Sequence, residues 1–268
     1  MTYANAPEDK LKDTIYRINR DAARFFAENL FSNDGKEALD YLTERGLSRD
    51  TIEALQLGVA PDDEWSLFAF LSHKGYDVSD MIESFLIRED EKIGYCDTFA
   101  GRIIFPVFDR DGNVIAFIGR DYSDEKNGRK KIKPVYINCP DTPVYIKGEN
   151  LYGMEHAWNN SKQLLIVEGP MDVAALYNNK VTNAVAVLGA TLTDKQAALI
   201  SRCAEEAVVI FDSDGAGQKG AERAAEKIKQ CGADVFIATL PECKDPDEYI
   251  RKNGIAKFMD EVNNQTIK

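Results

Sequence analysis

LLIVEGPMD (164–172), AVAVLGAT (184–191) and AVVIFDSDGAG (207–217) are the stretches that decide the fold of this chain. Each contains a short apolar run, and the segments between the runs have helical composition, with helices expected over 171–179, 193–203 and 216–231. Alternation of strand and helix is typical of a parallel sheet with helices on both faces. Continuous apolar strands agree with this interpretation, because such strands are buried on both sides. Two further short helices are expected near 246–252 and 255–263.

Acidic residues follow the strand-like runs. Glu168 ends the first run, Asp212 and Asp214 follow the third, and Asp245 follows a fourth, DVFIATL (234–240). Because the carboxyl ends of parallel strands share one edge, we expect these four side chains to meet there. Carboxylates a few Å apart repel one another, and a bound divalent cation usually offsets this repulsion. A set of oxygen ligands suits Mg²⁺ or Mn²⁺, so the pattern predicts metal-dependent phosphodiester chemistry.

Each of these acidic residues also has a local explanation. Asp245 precedes a proline and fits a helix N-cap, whereas Asp212 and Asp214 fit a turn that Gly215 and Gly217 permit. Local explanations account for each residue singly. Four acidic positions at one edge of one sheet favour a shared site.

The first part of the chain has a different pattern. In segment 8–31, apolar residues recur at helical spacing: Leu11, Ile15, Ile18, Ala22 and Phe26. Shorter helices are expected over 36–46 and 48–55, and GRIIFPVFDRDGNVIAFIGR (101–120) predicts a β-hairpin that turns at Asp111-Gly112. VYIN (135–138) predicts a further strand. The expected fold class is therefore α/β, with a mixed α+β subdomain over 1–160 and a doubly wound parallel-sheet subdomain over 161–268.

Composition excludes several classes of protein. The apolar runs are too short to cross a bilayer, and the N-terminus has no secretory pattern. Five scattered cysteines predict neither a zinc ribbon nor a disulfide framework, so a reducing cytoplasm is the expected setting. Two isolated histidines offer little to a Ser-His-Asp triad. The net charge of −12 argues against broad, tight binding of nucleic acid and leaves room only for a local basic groove.

Several motifs resemble one known family. EGPMD (168–172), LGAT (188–191), FDSDGAG (211–217) and KDPDE (244–248) resemble the TOPRIM domain of bacterial DnaG-type primases. The upstream segments 41–61, 101–120 and 134–153 resemble, in order and spacing, the N-terminal subdomain of the same family's RNA polymerase core. The resemblance covers about residues 10–265. TOPRIM motifs also occur in topoisomerases and some nucleases, whereas the upstream segments are specific to primases.

The resemblance implies a DNA primase, which joins NTPs into short RNA primers on single-stranded DNA with Mg²⁺ or Mn²⁺. By position, Glu168 resembles the catalytic glutamate, which acts as acid/base or metal ligand, and Asp212, Asp214, Asp245 and Asp247 resemble metal ligands. Asp172, Gly169 and Gly215 match supporting positions. The positions implied for nucleotide or template binding are Arg102, Arg120, Lys133, Tyr136, Asn138 and Lys147.

The chain departs from the family at several points. Val135 stands where the family usually has lysine, with Lys133 two residues away on the same strand face. The family's zinc-binding module and helicase-binding domain have no counterpart in this sequence, so a replicative helicase is expected to bind through regions outside it. Two other functions stay open: a TOPRIM nuclease, in which water replaces the ribose hydroxyl, and a non-catalytic primase-like module that binds single strands or a helicase.

Overall fold

The computed structural model describes residues 7–123, 134–158, 162–189 and 191–266. The chain forms two compact units, one of Met1–Glu44 with Ile52–Ile146 and one of Arg45–Thr51 with Lys147–Lys268. Within the described ranges, none of the helices combines the length and the apolar character that crossing a bilayer requires.

The first unit contains an antiparallel sheet with strand order β1–β4–β5–β6. Its strands are β1 (Gly58–Val59), β4 (Ile103–Phe108), β5 (Val114–Arg120) and β6 (Tyr136–Asn138). A separate two-stranded sheet is formed by β2 (Ile87–Asp90) and β3 (Gly94–Asp97). The helices are α1 (Pro7–Leu30), α2 (Lys36–Glu44), α4 (Ser66–His73) and α5 (Val78–Glu83), and α3 (Arg49–Ala54) ends in this unit.

Helix α1 packs its apolar stripe in the core of this unit. Ile18, Ala22 and Phe26 lie in one buried cluster with Phe117 of β5, and the rings of Phe26 and Phe117 meet edge-on with centroids 5.6 Å apart. The helical spacing of these residues puts them on one face, as expected. The hairpin of β4 and β5 is also confirmed, with Gly112 in the turn at a φ of 81° that favours glycine.

The second unit contains a parallel sheet with strand order β10–β9–β7–β8. Its strands are β7 (Gln163–Val167), β8 (Ala184–Ala186), β9 (Glu206–Val209) and β10 (Asp234–Ile237). Its α-helices are α6 (Met154–Ala157), α7 (Pro170–Asn178), α8 (Asp194–Cys203), α9 (Gly215–Gln230), α10 (Pro246–Asn253) and α11 (Ile255–Asn264), and Lys147–Glu149 forms a 3₁₀ turn. The predicted parallel α/β arrangement is confirmed.

The strand order creates a topological switch point. From β7 the chain passes to β8 on one side and then to β9 and β10 on the other. In open parallel sheets, ligands bind outside the carboxyl ends of the strands at such a point. A ligand is therefore expected to bind in the crevice between the carboxyl ends of β7 and β9.

Residues 147–158 pack with the second unit, although the sequence placed them before a boundary at 160/161. Tyr152 and Ala186 exchange two backbone hydrogen bonds of 3.0 and 2.9 Å. Leu151, Met154 and Ala157 lie in the core of the second unit. The packing boundary is therefore at Ile146/Lys147, because this segment extends the sheet beside β8.

Residues 45–51 also pack with the second unit, through Asn178 at the end of α7. The Asn178 amide donates to the carbonyl of Gly46 (3.0 Å), and its oxygen accepts from Ser48 N–H (2.8 Å) and Thr51 Oγ1 (2.9 Å). One side chain thus holds this short segment on the parallel-sheet unit.

Candidate active site

Glu168 and Asp212 meet at the switch point, because they follow the neighbouring strands β7 and β9. The backbone N–H of Asp212 donates to Glu168 Oε1 at 3.0 Å. Burial raises the pKa of the Glu168 carboxyl; the Asp212 N–H partly offsets this, and the charges of Asp212 and Asp214 raise the pKa further. The structure therefore brings two of the predicted acidic residues together, with one oxygen of Glu168 fixed in place.

Gly217 allows α9 to begin against this pair. A Cβ atom at Gly217 would overlap the carbonyl oxygen of Asp212 and lie 2.9 Å from Glu168 Oε1. Only glycine permits so close an approach. A Cβ atom at Gly215, by contrast, would meet nothing within 4 Å.

Asp214 and Asp245 each cap a helix with one oxygen, as the local explanation anticipated for Asp245. Asp214 Oδ1 accepts from the N–H groups of Ala216 (3.0 Å) and Gly217 (2.8 Å), and Asp245 Oδ1 accepts from Glu248 N–H (2.8 Å). The two N–H donors lower the pKa of Asp214, whereas burial raises the pKa of Asp245. Because both caps use Oδ1, capping and cation binding through Oδ2 are compatible.

Asp172 lies buried below the sheet edge and joins two acidic motifs. Its Oδ2 accepts from Gly169 N–H at 3.2 Å, and its Oδ1 accepts from Asp247 N–H at 3.1 Å. Burial raises the pKa of Asp172 well above its ordinary value, and the charge of Asp245 adds to this. The predicted supporting residues Asp172 and Gly169 thus connect the start of α7 to the start of α10.

Asp247 is held by two arginines. Its side chain is 2% exposed and pairs with Arg45 at 2.5 Å and with Arg251 at 3.3 Å. The guanidinium groups already neutralise this carboxylate, so the structure gives Asp247 a structural role. Its role as a metal ligand stays a prediction. The i,i+4 spacing of Asp247 and Arg251 was visible in the sequence, whereas nothing local pointed to Arg45.

A lysine that no motif had pointed to, Lys244, lies among these carboxylates. Lys244 Nζ is 2.9 Å from Asp212 Oδ2. This hydrogen bond raises the pKa of Lys244, and the charges of Asp212, Asp245 and Asp214 add to the effect. The feature of the sequence that could have pointed to Lys244 is its position in KDPDE, directly before Asp245.

The donor set fits a hard divalent cation. Within the described part of the chain, no three acidic, histidine or cysteine side chains surround one point as they stand, so a shared ion requires side-chain rotation. Glu168, Asp212, Asp214 and Asp245 nevertheless offer only oxygen, which suits Mg²⁺ or Mn²⁺. The ammonium of Lys244 beside Asp212 shows that this edge accommodates positive charge.

Arg120 and Tyr136 of the predicted groove form one cluster in the first unit. The Arg120 guanidinium donates to Tyr41 Oη at 3.1 Å and also to Tyr136 Oη, and it lies 5.1 Å from the centre of the Tyr136 ring. Arg120 Nε is buried without a hydrogen-bond partner among the residues described. Asn138 ends β6 opposite Ile118.

Arg102 has a structural role that the sequence did not suggest. It is 1% exposed, and its guanidinium donates to the carbonyls of Pro134 (2.8 Å), Val135 (3.1 Å) and Gly119 (3.5 Å). Lys147 begins the 3₁₀ turn of the second unit. Lys133 lies outside the described residues. Contacts of all the predicted groove residues with nucleotide or template stay predictions.

Comparisons with known proteins agree with this architecture. Residues 25–158 match the family described as the N-terminal domain of the DNA primase catalytic core, and residues 165–250 match a Toprim-like family. A DNA primase from Clostridium acetobutylicum is 41% identical over 254 residues, which are 94% of this chain and 41% of that protein. This chain spans 41 to 43% of the length of three curated DNA primases to which it is similar, the Clostridium protein among them.

Solved structures of DNA primase domains are also similar to this chain. A DnaG primase catalytic domain bound to ssDNA has a TM-score of 0.85 and 29% identity, over 96% of this chain and 80% of that one. A DNA primase domain from Pseudomonas aeruginosa has a TM-score of 0.83 and 34% identity, over 94% of this chain and 78% of that one.

Proposed function

Because this chain belongs to the family of DnaG-type DNA primases, we propose that it joins NTPs into short RNA primers on a single-stranded DNA template. The observation that carries the proposal is the pairing of Glu168 with Asp212 at the switch point of the parallel sheet. The solved relative bound to ssDNA supports the choice of template.

Glu168 acts on the attacking hydroxyl. Its Oε1 is held by Asp212 N–H, and the raised pKa of its carboxyl suits Oε2 to accept the proton from the primer 3′-hydroxyl. The 3′-oxygen forms a bond to the α-phosphorus as the bond to pyrophosphate breaks. Asp212, Asp214 and Asp245 would hold Mg²⁺ or Mn²⁺ beside the Glu168 carboxylate. A bound divalent cation supplies neutralisation of the phosphate charge during in-line displacement.

Template and nucleotide bind through the predicted positions Arg120, Lys133, Tyr136, Asn138 and Lys147. Arg102 is buried and supports the backbone of Pro134 and Val135 instead of binding template or nucleotide. A guanidinium matches phosphate through two parallel N–H donors, which suits the Arg120 side chain. Because the chain carries a net charge of −12, few basic residues are available to the template, so template binding is weak. It falls with added salt in proportion to the number of phosphate contacts.

Primer synthesis on mixed-sequence single-stranded DNA, with labelled NTPs and either Mg²⁺ or Mn²⁺, tests the proposal. Glu168→Gln and Asp212→Asn are each expected to abolish product. Glu206→Gln is the matched control, because Glu206 lies at the opposite end of β9 and its carboxylate accepts only from Gln163 Nε2 among the described residues. Retained synthesis in either acidic-site variant would contradict the assignment. Cleavage of labelled DNA without NTPs would identify a nuclease instead.

A further inference from the structure

The backbone of Lys244 is hydrogen-bonded on one side to the loop that follows β9 and on the other to the first turn of α10. Its carbonyl accepts from the N–H of Ser213, which separates Asp212 from Asp214, at 2.8 Å. Its own N–H donates to Glu248 Oε2 at 2.8 Å. The two backbone hydrogen bonds therefore hold the Cα atom of Lys244 beside the loop that follows β9.

The side chain of Lys244 is less constrained than its backbone. It is 61% exposed, although its ammonium lies 2.9 Å from Asp212 Oδ2, whose side chain is 17% exposed. An exposed ion pair of this kind contributes little to stability by itself. The pair does place the movable ammonium of Lys244 beside Asp212 Oδ2, an oxygen of the proposed cation site.

We propose that Lys244 is a resident counter-ion, which neutralises Asp212 in the metal-free protein and competes with the divalent cation for that carboxylate. This inference rests on the proposed function of the same site. Binding of the cation displaces the ammonium into solvent, which its exposure permits. The lysine therefore weakens metal affinity, and in the metal-free protein it offsets the charge of Asp212.

The size of the effect follows from Coulomb's law. One unit charge about 5 to 6 Å from a divalent cation in water changes the dissociation constant roughly tenfold. Because the ammonium can move away, we expect Lys244→Met to tighten Mn²⁺ binding roughly three- to tenfold at low ionic strength. The difference should vanish near 1 M salt, where the screening length is about 3 Å.

Titration of the purified chain with Mn²⁺, with free Mn²⁺ followed by electron paramagnetic resonance, measures this affinity without any activity assay. Lys244→Arg keeps the charge and should bind Mn²⁺ as the wild type does. Lys195→Met is the matched control, because it removes the same charge from an exposed pair with Glu149 on the same unit. Circular dichroism verifies that each variant is folded.

Equal or weaker Mn²⁺ binding by Lys244→Met than by the wild type would overturn the inference and leave the proposed function standing. Equal tightening in Lys195→Met would also overturn it, because the effect would then be one of net charge. If neither the wild type nor Lys244→Met binds Mn²⁺, the metal site of the proposed function fails as well. Binding by Lys244→Met alone would support the inference most strongly.

Discussion

Replacing Asp247 by asparagine is expected to destabilise the parallel-sheet unit by about 2 to 3 kcal/mol. Removal of one partner from a buried ion pair typically costs roughly 3 to 5 kcal/mol, because the other charge stays buried and unpaired. Here the side chains of Arg45 and Arg251 are 26% and 37% exposed, so both regain some hydration and the cost is reduced. Replacement of Arg45 by methionine should cost less, because Arg251 still pairs with Asp247.

A double-mutant cycle isolates the contact between Arg45 and Asp247. Urea unfolding of Arg45→Met, Asp247→Asn and the double variant, followed by circular dichroism, is expected to give a coupling free energy of about 1 to 2 kcal/mol. A coupling energy below about 0.5 kcal/mol would refute the reasoning, since independent sites add within that range. Mn²⁺ titration of Asp247→Asn separates the two roles: lost affinity with unchanged stability would make Asp247 a metal ligand rather than a structural residue.

Three further predictions concern other buried sites. Burial raises the pKa of Glu155 to about 7, so the folded protein loses stability as the pH rises from the ordinary glutamate pKa towards that value. Glu155→Gln should therefore stabilise the protein by up to about 3 kcal/mol at pH 8 and by little at pH 5, as measured by thermal unfolding. Gly217→Ala should lower the melting temperature and primer synthesis through its overlap with Asp212, whereas Gly215→Ala should change the unfolding free energy by less than about 0.5 kcal/mol. Arg102→Lys should cost roughly 2 to 4 kcal/mol in urea unfolding, because one ammonium nitrogen cannot occupy both positions from which Nη1 and Nη2 donate to the three carbonyls. Unchanged stability would show those bonds to be weak.

Local patterns in the sequence were sufficient for the elements of the fold. Helix α1 followed from the spacing of its apolar residues, and the hairpin of β4 and β5 followed from the Asp111-Gly112 turn. The N-cap at Asp245 followed from the proline beside it. These features depend on residues a few positions apart, whose geometry is set by the period of a helix or strand.

Contacts between distant segments could not be predicted in the same way. Arg45 pairs with Asp247 across 202 positions, and Arg102 donates to the carbonyls of Gly119 in β5 and of Pro134 before β6. The packing of residues 147–158 beside β8 and the approach of the Lys244 ammonium to Asp212 belong to the same class. Each depends on how elements pack, which no short-range pattern encodes.

By itself, the sequence determined that the second part of this protein is a parallel α/β sheet with acidic residues along the edge where its strands end. The chemistry of those residues and the period of the apolar runs are local properties, and they suffice for that conclusion. Only the tertiary structure decided which acidic side chains meet, which ones cap helices or pair with arginine, and where a lysine lies among them. Those outcomes depend on strand order and side-chain packing, which bring together groups far apart in the chain.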